Sequence, residues 1–173
     1  EYIQHKLREY GISSTGGIAG TGVVATLPSL NPHLDGVALR ADMDALPISE
    51  ETGLEFSSVN EGVMHACGHD IHLTVMLGLA KYLTESGLSN RLKGSIKFMF
   101  QPAEENIGGA KPMIQKGVLE NPHVDCVLAA HVDPNIPAGK IGIQRTKGFA
   151  QSMPFMLTIT GTGGHGAYPH LTK

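Results

Sequence analysis

Ser95-Ile96-Lys97-Phe98-Met99-Phe100 runs without a break into Gln101-Pro102-Ala103-Glu104-Glu105, and Val124-Asp125-Cys126-Val127-Leu128 runs through Ala129-Ala130 into His131-Val132-Asp133. Each pair opens as a buried strand, the second as a continuous apolar run of the kind found in parallel sheets covered on both faces. Each then delivers chemically capable side chains directly at the strand end. Upstream, Gly36 to Arg40 reads as another strand and leads in the same way into Ala41-Asp42-Met43-Asp44. In open α/β sheets, ligands bind in the crevice outside the carboxyl ends of the strands. The expectation is therefore an α/β chain whose separate segments converge on one site.

Between these strands lies His65-Ala66-Cys67-Gly68-His69-Asp70-Ile71, the densest set of metal-binding side chains in the sequence. In extended or turning backbone, residues i and i+2 point to the same side, so Cys67 and His69 can reach one cation together while Gly68 lets the chain bend. Apolar residues at 71, 75, 76, 79, 80 and 83 follow at close to helical period, which predicts a helix over 71–83 with Asp70 as its N-cap. Further elements are a helix over 1–10 closed by Gly11, a strand over 22–27 and a short helix over 110–116 ended by Gly117. Beyond residue 139 the pattern shifts. Alternation at Phe155, Leu157 and Ile159 precedes Gly161-Thr162-Gly163-Gly164-His165-Gly166, and Tyr168-Pro169-His170 reads as a helix entry. A catalytic domain over 1–147 and the start of a second domain over 148–173 are expected.

A chain of 173 residues, 41% hydrophobic and 17% charged, with net charge −3, is large enough for one core. Its Lys and Arg residues are scattered, so no row of phosphates would be neutralised and nucleic acid is not an expected partner. No apolar run approaches the roughly 20 residues that span a bilayer. Two cysteines in such different settings do not form a disulfide framework; Cys126 is expected in the core and Cys67 at the site. The chain opens at Glu1 inside a helical pattern, without Met or a signal peptide, so the natural N-terminus is expected upstream and the location cytoplasmic.

Thiolate and neutral imidazole suit a borderline or soft first-row cation, and carboxylates harden the set toward zinc, manganese, cobalt or nickel. Structural zinc sites favour paired spacings such as Cys-x-x-Cys, which this chain lacks, whereas mixed Cys/His/Glu ligation with open positions fits catalysis. Adjacent Glu104 and Glu105 do not point one way from regular backbone. A division of labour follows, one carboxylate on the metal and its neighbour facing the bound water as general base. Plainer readings stand beside these. His5, His33 and His123 read as solvated, His72 and His170 lie near the clusters, and Asp42 and Asp44 serve either as turn residues before Pro47 or as supports for a ligand histidine.

Four stretches together resemble a known family: residues 38–47, Met64-His65-Ala66-Cys67-Gly68-His69-Asp70, Gln101-Pro102-Ala103-Glu104-Glu105 and Gly163-Gly164-His165-Gly166-Ala167-Tyr168-Pro169-His170. They are similar, in order, to the aminoacylase and carboxypeptidase superfamily of metallopeptidases, peptidase family M20, in its amidohydrolase branch of hippurate hydrolases, N-acyl-amino-acid deacylases, N-acetyl-diaminopimelate deacetylases and auxin-conjugate hydrolases. The resemblance implies a mixed-sheet, zinc-peptidase-like catalytic α/β domain carrying two divalent metals, with an inserted α+β lid or dimerisation domain through which a homodimer or homotetramer forms. It implies Cys67 as the bridging ligand, His69, Glu105 and His131 as further ligands, Glu104 as general base, Asp44 as the support of a ligand, and His165 as a lid donor to the substrate or the developing oxyanion. It also implies that these residues are an N-terminal piece of a longer enzyme, whose last ligand histidine has no counterpart here. The expected reaction is hydrolysis of the amide of an N-acyl amino acid by a metal-activated water. The rivals are a dipeptidase or aminopeptidase of the same superfamily, against which the Cys67 bridge argues, a metal-binding piece without turnover, and a thiol redox protein, for which no resolving cysteine lies nearby.

Overall fold

The computed structural model describes residues 1–31, 34, 36–105, 108–143 and 155–172 in two compact units, Glu1–Asp133 and Pro134–Lys173. In the first unit, helix α1 (Tyr2–Glu9) precedes strands β1 (Ser14–Ile18), β2 (Gly22–Leu27) and β3 (Gly36–Asp42). Helix α2 (His69–Glu85), strand β4 (Ile96–Gln101), helix α3 (Ala110–Gln115) and strand β5 (Val124–Ala129) follow. The sheet order is β1-β2-β4-β3-β5. β1 and β2 pair antiparallel, as do β2 and β4, while β3 runs parallel to both β4 and β5. The sheet is mixed, as expected for this class of α/β fold.

Parallel pairing has a direct consequence for function. β3, β4 and β5 all end on the same edge, so the residues after Asp42, Gln101 and Ala129 leave the sheet side by side. The first residue of α2, His69, is also drawn to that edge.

Strand alternation sorts the core into two layers. Phe98 and Phe100 of β4 join Val23, Ala25 and Leu27 of β2, Ile3 and Leu7 of α1, and Met76, Leu77 and Ala80 of α2 in one cluster. Met99 of β4 and Ala38 of β3 face the opposite way, against Met113, Val118 and Val124. Lys97, 3% exposed, shares that second face and donates from Nζ to the carbonyls of Val118 (2.7 Å), Glu120 (2.7 Å) and Pro122 (3.0 Å). Burial lowers the pKa of this ammonium from its usual value, against the pull of the Glu120 charge.

Three details differ from the sequence expectation. Helix α2 begins one residue before Asp70, because Gly68 in the left-handed conformation (φ +83°) takes the N-cap position; Asp70 sits in the first turn, still at the positive end of the helix. β5 is an edge strand paired only to β3 among the described residues, and past Val124 its residues, Cys126 included, are exposed rather than core. β1, Ser-Thr-Gly-Gly-Ile, was not anticipated from its sequence and forms by hairpin pairing onto β2.

In the second unit, Pro169–Leu171 form a single 3-10 turn at the expected helix entry. Residues 155–160 have no strand pairing, and Phe155, Met156, Leu157 and Ile159 are all at least 76% exposed, so the alternation there does not separate two faces. The domain boundary expected between 147 and 148 lies outside the described residues. No helix among the described residues is long and apolar enough to cross a membrane.

Candidate metal centre

His69 organises the strand-end edge. It is 1% exposed, and its Nδ1 lies 2.9 Å from the backbone oxygen of Asp44. A carbonyl can only accept, so Nδ1 carries the hydrogen and Nε2 of the neutral ring presents a lone pair. That Nε2 is buried and has no hydrogen-bond partner among the described residues. Its neighbours are Asp42 Oδ2 at 3.7 Å and Glu105 Oε1 at 3.8 Å, both acceptors. A lone pair aimed at two carboxylates in a buried place is an uncompensated arrangement unless a cation sits among them. The residues present therefore fit a metal ion.

The other ligand candidates gather around the same residue. Ligand atoms of Cys67, His69 and His131 lie within 4.8 Å of one another, and so do those of His69, Glu104 and Glu105, giving two triads that share His69. Local backbone makes each possible. The left-handed Gly68 folds Cys67 back beside His69, and a side chain at 68 would also collide with Val132 Cγ2, 2.5 Å from where its Cβ would stand. The left-handed Ala103 (φ +53°) turns the chain so that both neighbouring glutamates reach the site, which regular backbone would not allow. The Ala103 oxygen closes this turn by accepting from the amides of Gly108 (2.9 Å) and Gly109 (3.0 Å). Glu105 is the inner carboxylate, its amide donating to Asp44 Oδ2 at 3.0 Å, while Glu104 is exposed.

His131 Nδ1 lies 2.7 Å from the Val132 oxygen, which leaves Nε2 as the lone pair, 3.4 Å from Cys67 Sγ. Burial pushes the Cys67 thiol up from 9.0 to about 11, helped by its hydrogen bond to Glu105 and the negative charges of Glu105, Glu104 and Asp42. Without a cation, Cys67 stays protonated at neutral pH, and a metal held by this sulfur would have to displace that proton. In metal-free protein at pH 8, iodoacetamide is expected to modify Cys67 about 100-fold more slowly than the same residue in urea, the rate climbing until pH passes ~11. Peptide-resolved mass spectrometry measures both rates, and near-equal rates would exclude this environment.

The third group, Asp42, His69 and His72, is different. His72 Nε2 accepts the Val132 amide hydrogen at 3.0 Å and its Nδ1 meets Asp42 Oδ1 at 2.6 Å, so neither ring nitrogen is open to a metal. Arg40 Nη1 holds Asp42 Oδ2 at 2.7 Å and its Nε donates to Gln101 Oε1 at 2.9 Å. Burial pushes the Asp42 pKa up, but the hydrogen bond from His72 and the charge of Arg40 outweigh it and leave the carboxyl below its ordinary value.

Of the residues singled out from sequence, Cys67, His69, Glu104, Glu105 and His131 thus meet in overlapping triads. Asp44 touches both Glu105 and His69, its Oδ1 lying 3.4 Å from His69 Nδ1. His65 is exposed and outside the triads. His165 belongs to the second unit, where its Nδ1 accepts the Ala167 amide at 3.2 Å and its ring lies 5.5 Å from that of Tyr168. Sequence reading missed the partnership of Arg40, Asp42 and His72. The signals were there, in a charge at the end of an apolar strand and a histidine three residues after His69, hence on the same helix face.

Residues 38–172 match the model of peptidase family M20/M25/M40. The N-acetyldiaminopimelate deacetylase of Shouchella clausii is 48% identical over 134 residues, covering 78% of this chain and 35% of that protein. Its namesake from Bacillus cytotoxicus is 44% identical over 153 residues, covering 88% and 39%. The chain thus spans little more than a third of the length of these curated relatives. Among solved structures, the YXEP protein of Bacillus subtilis, described as a dinuclear metal-binding peptidase of the M20 family, superimposes with a TM-score of 0.75 at 39% identity, covering 83% of this chain and 39% of that one. With the family model matching residues 38–172 and these relatives and this fold in agreement, the chain belongs to peptidase family M20/M25/M40.

Proposed function

We propose that this chain carries the metal-binding part of an amidohydrolase that cleaves N-acyl amino acids, N-acetyl amino acids such as N-acetyldiaminopimelate among them. The observation that carries the reading is the buried His69 Nε2, a lone pair facing carboxylates with no hydrogen-bond donor. The substrate class is supported by relatives named deacetylases at 44–48% identity. Cys67, His69, Glu105 and His131 would hold two divalent cations drawn from manganese, zinc, cobalt or nickel. Bound cations would acidify a water and polarise the amide carbonyl.

The chain's own residues do the rest. Asp44 fixes the inner glutamate through its amide and receives the edge of the His69 ring, so both ligands approach at set angles. Glu104, the outer carboxylate, takes the proton of the attacking water and returns it to the leaving amine. The second unit is read as the beginning of a lid or dimerisation domain, from which His165 would donate to the developing oxyanion on closure.

Stripping the full-length protein with a chelator should abolish hydrolysis of N-acetyl amino acids, and reloading with manganese, zinc, cobalt or nickel should restore it. Free dipeptides in the same assay should be poor substrates. Full activity after verified metal removal, or a preference for dipeptides, would overturn the proposal.

A further inference from the structure

We infer that His72 is a positioning residue that sets the place of His131. The inference rests on the metal-site reading above.

The His131 segment needs such a device. It leaves an edge strand, has no regular secondary structure of its own, and is exposed. Its neighbour Val132 is held at two points. The Val132 amide donates to His72 Nε2 at 3.0 Å, and the Val132 side chain lies over Gly68 with no room for a Cβ there. The Val132 oxygen in turn receives His131 Nδ1 at 2.7 Å, which fixes the tautomer that turns Nε2 toward Cys67. Whatever places Val132 therefore places the lone pair of His131.

The His72 ring is itself oriented without ambiguity. A backbone amide can only donate, so Nε2 must accept, and Nδ1 then carries the hydrogen given to Asp42 at 2.6 Å. Asp42 is held by Arg40, and Arg40 by Gln101. The chain Gln101–Arg40–Asp42–His72–Val132 thus ties the ends of β4 and β3, the first turns of α2 and the segment after β5. Gln101, Asp42 and His72 are each at most 7% exposed, which keeps water from competing for these bonds. Every segment that delivers a candidate ligand is attached to it, though none of its side chains has a nitrogen open for a metal.

His72→Asn and His72→Gln separate the two halves of the ring. Asn places its amide near Nδ1 and keeps the Asp42 bond, whereas Gln reaches the position of Nε2 and can still accept from Val132. In the full-length protein, the more weakly held of two cobalt ions, measured by competition with a chromophoric chelator, should bind about 10–100-fold less tightly in His72→Asn. His72→Gln should recover most of that affinity. In metal-free protein, exchange of the Val132 amide should accelerate in His72→Asn and not in His72→Gln. Wild-type cobalt affinity in His72→Asn, or equal losses in both variants that track their melting temperatures, would overturn the inference. Failure of the wild type to bind cobalt at all would instead overturn the metal-site reading.

Discussion

Replacing Glu104 by Gln is expected to slow amide hydrolysis by the full-length protein about 10²–10⁴-fold while leaving its metal content unchanged. Gln has the shape of Glu and its hydrogen-bonding reach, and lacks only the basicity. The selectivity of the effect follows from how two adjacent glutamates are placed. Glu105 lies inward, its amide tied to Asp44 and its Oε1 3.8 Å from the buried His69 nitrogen; Glu104 lies outward and exposed, where a water can reach it. Glu105→Gln should do the reverse, weakening metal retention first. Turnover and metal content measured on both variants decide the assignment. Metal loss in Glu104→Gln, or a rate within a few-fold of wild type, would remove Glu104 from the role of base.

The largest expected stability effect is remote from the site. Lys97→Met should cost about 3–5 kcal/mol, a fall in melting temperature on the order of 10 °C. Met fills nearly the same volume, so packing changes little. What disappears is the one ammonium that satisfies three carbonyls, of Val118, Glu120 and Pro122, at 2.7, 2.7 and 3.0 Å. These carbonyls lie in the connection that leads from α3 into β5, so their loss of a donor loosens the strand that ends at His131. Burial lowers the Lys97 pKa, which marks the cost of holding the charge there; the three acceptors offset that cost. Thermal unfolding of the variant with a shift under about 2 °C would show that water replaces the ammonium without penalty.

How much of this was legible beforehand depended on the kind of interaction. The runs at 22–27, 36–40, 95–100 and 124–130 were readable as strands because apolar continuity survives any tertiary context, and each appears within a residue or two of its expected bounds. β1 was not, since Ser-Thr-Gly-Gly-Ile has no pattern and becomes a strand only through the β2 backbone. The apolar run at Cys126 predicted burial, yet burial is a property of neighbours, and β5 has a partner on one side only among the described residues. Asp70 is a good N-cap residue, but a left-handed Gly68 had already ended the preceding turn.

By itself, the sequence determined which side chains are chemically able to hold a metal, that three separate segments carry them, and, through the spacing Cys67-Gly68-His69, that thiol and imidazole share one turn. Those are properties of residue type and of spacing a few positions long. Tertiary structure alone decided the rest. Parallel pairing of β3 with β4 and β5 brought residues some sixty positions apart to one edge, and the left-handed turn at Ala103 brought both glutamates to the site, Glu105 on its inner side and Glu104 on its outer one. The Arg40–Asp42–His72–Val132 connection likewise exists only after folding, because its bonds join strand, helix and loop across gaps no local pattern encodes. A hydrogen bond needs its partners within about 3 Å, and only the completed sheet sets that distance.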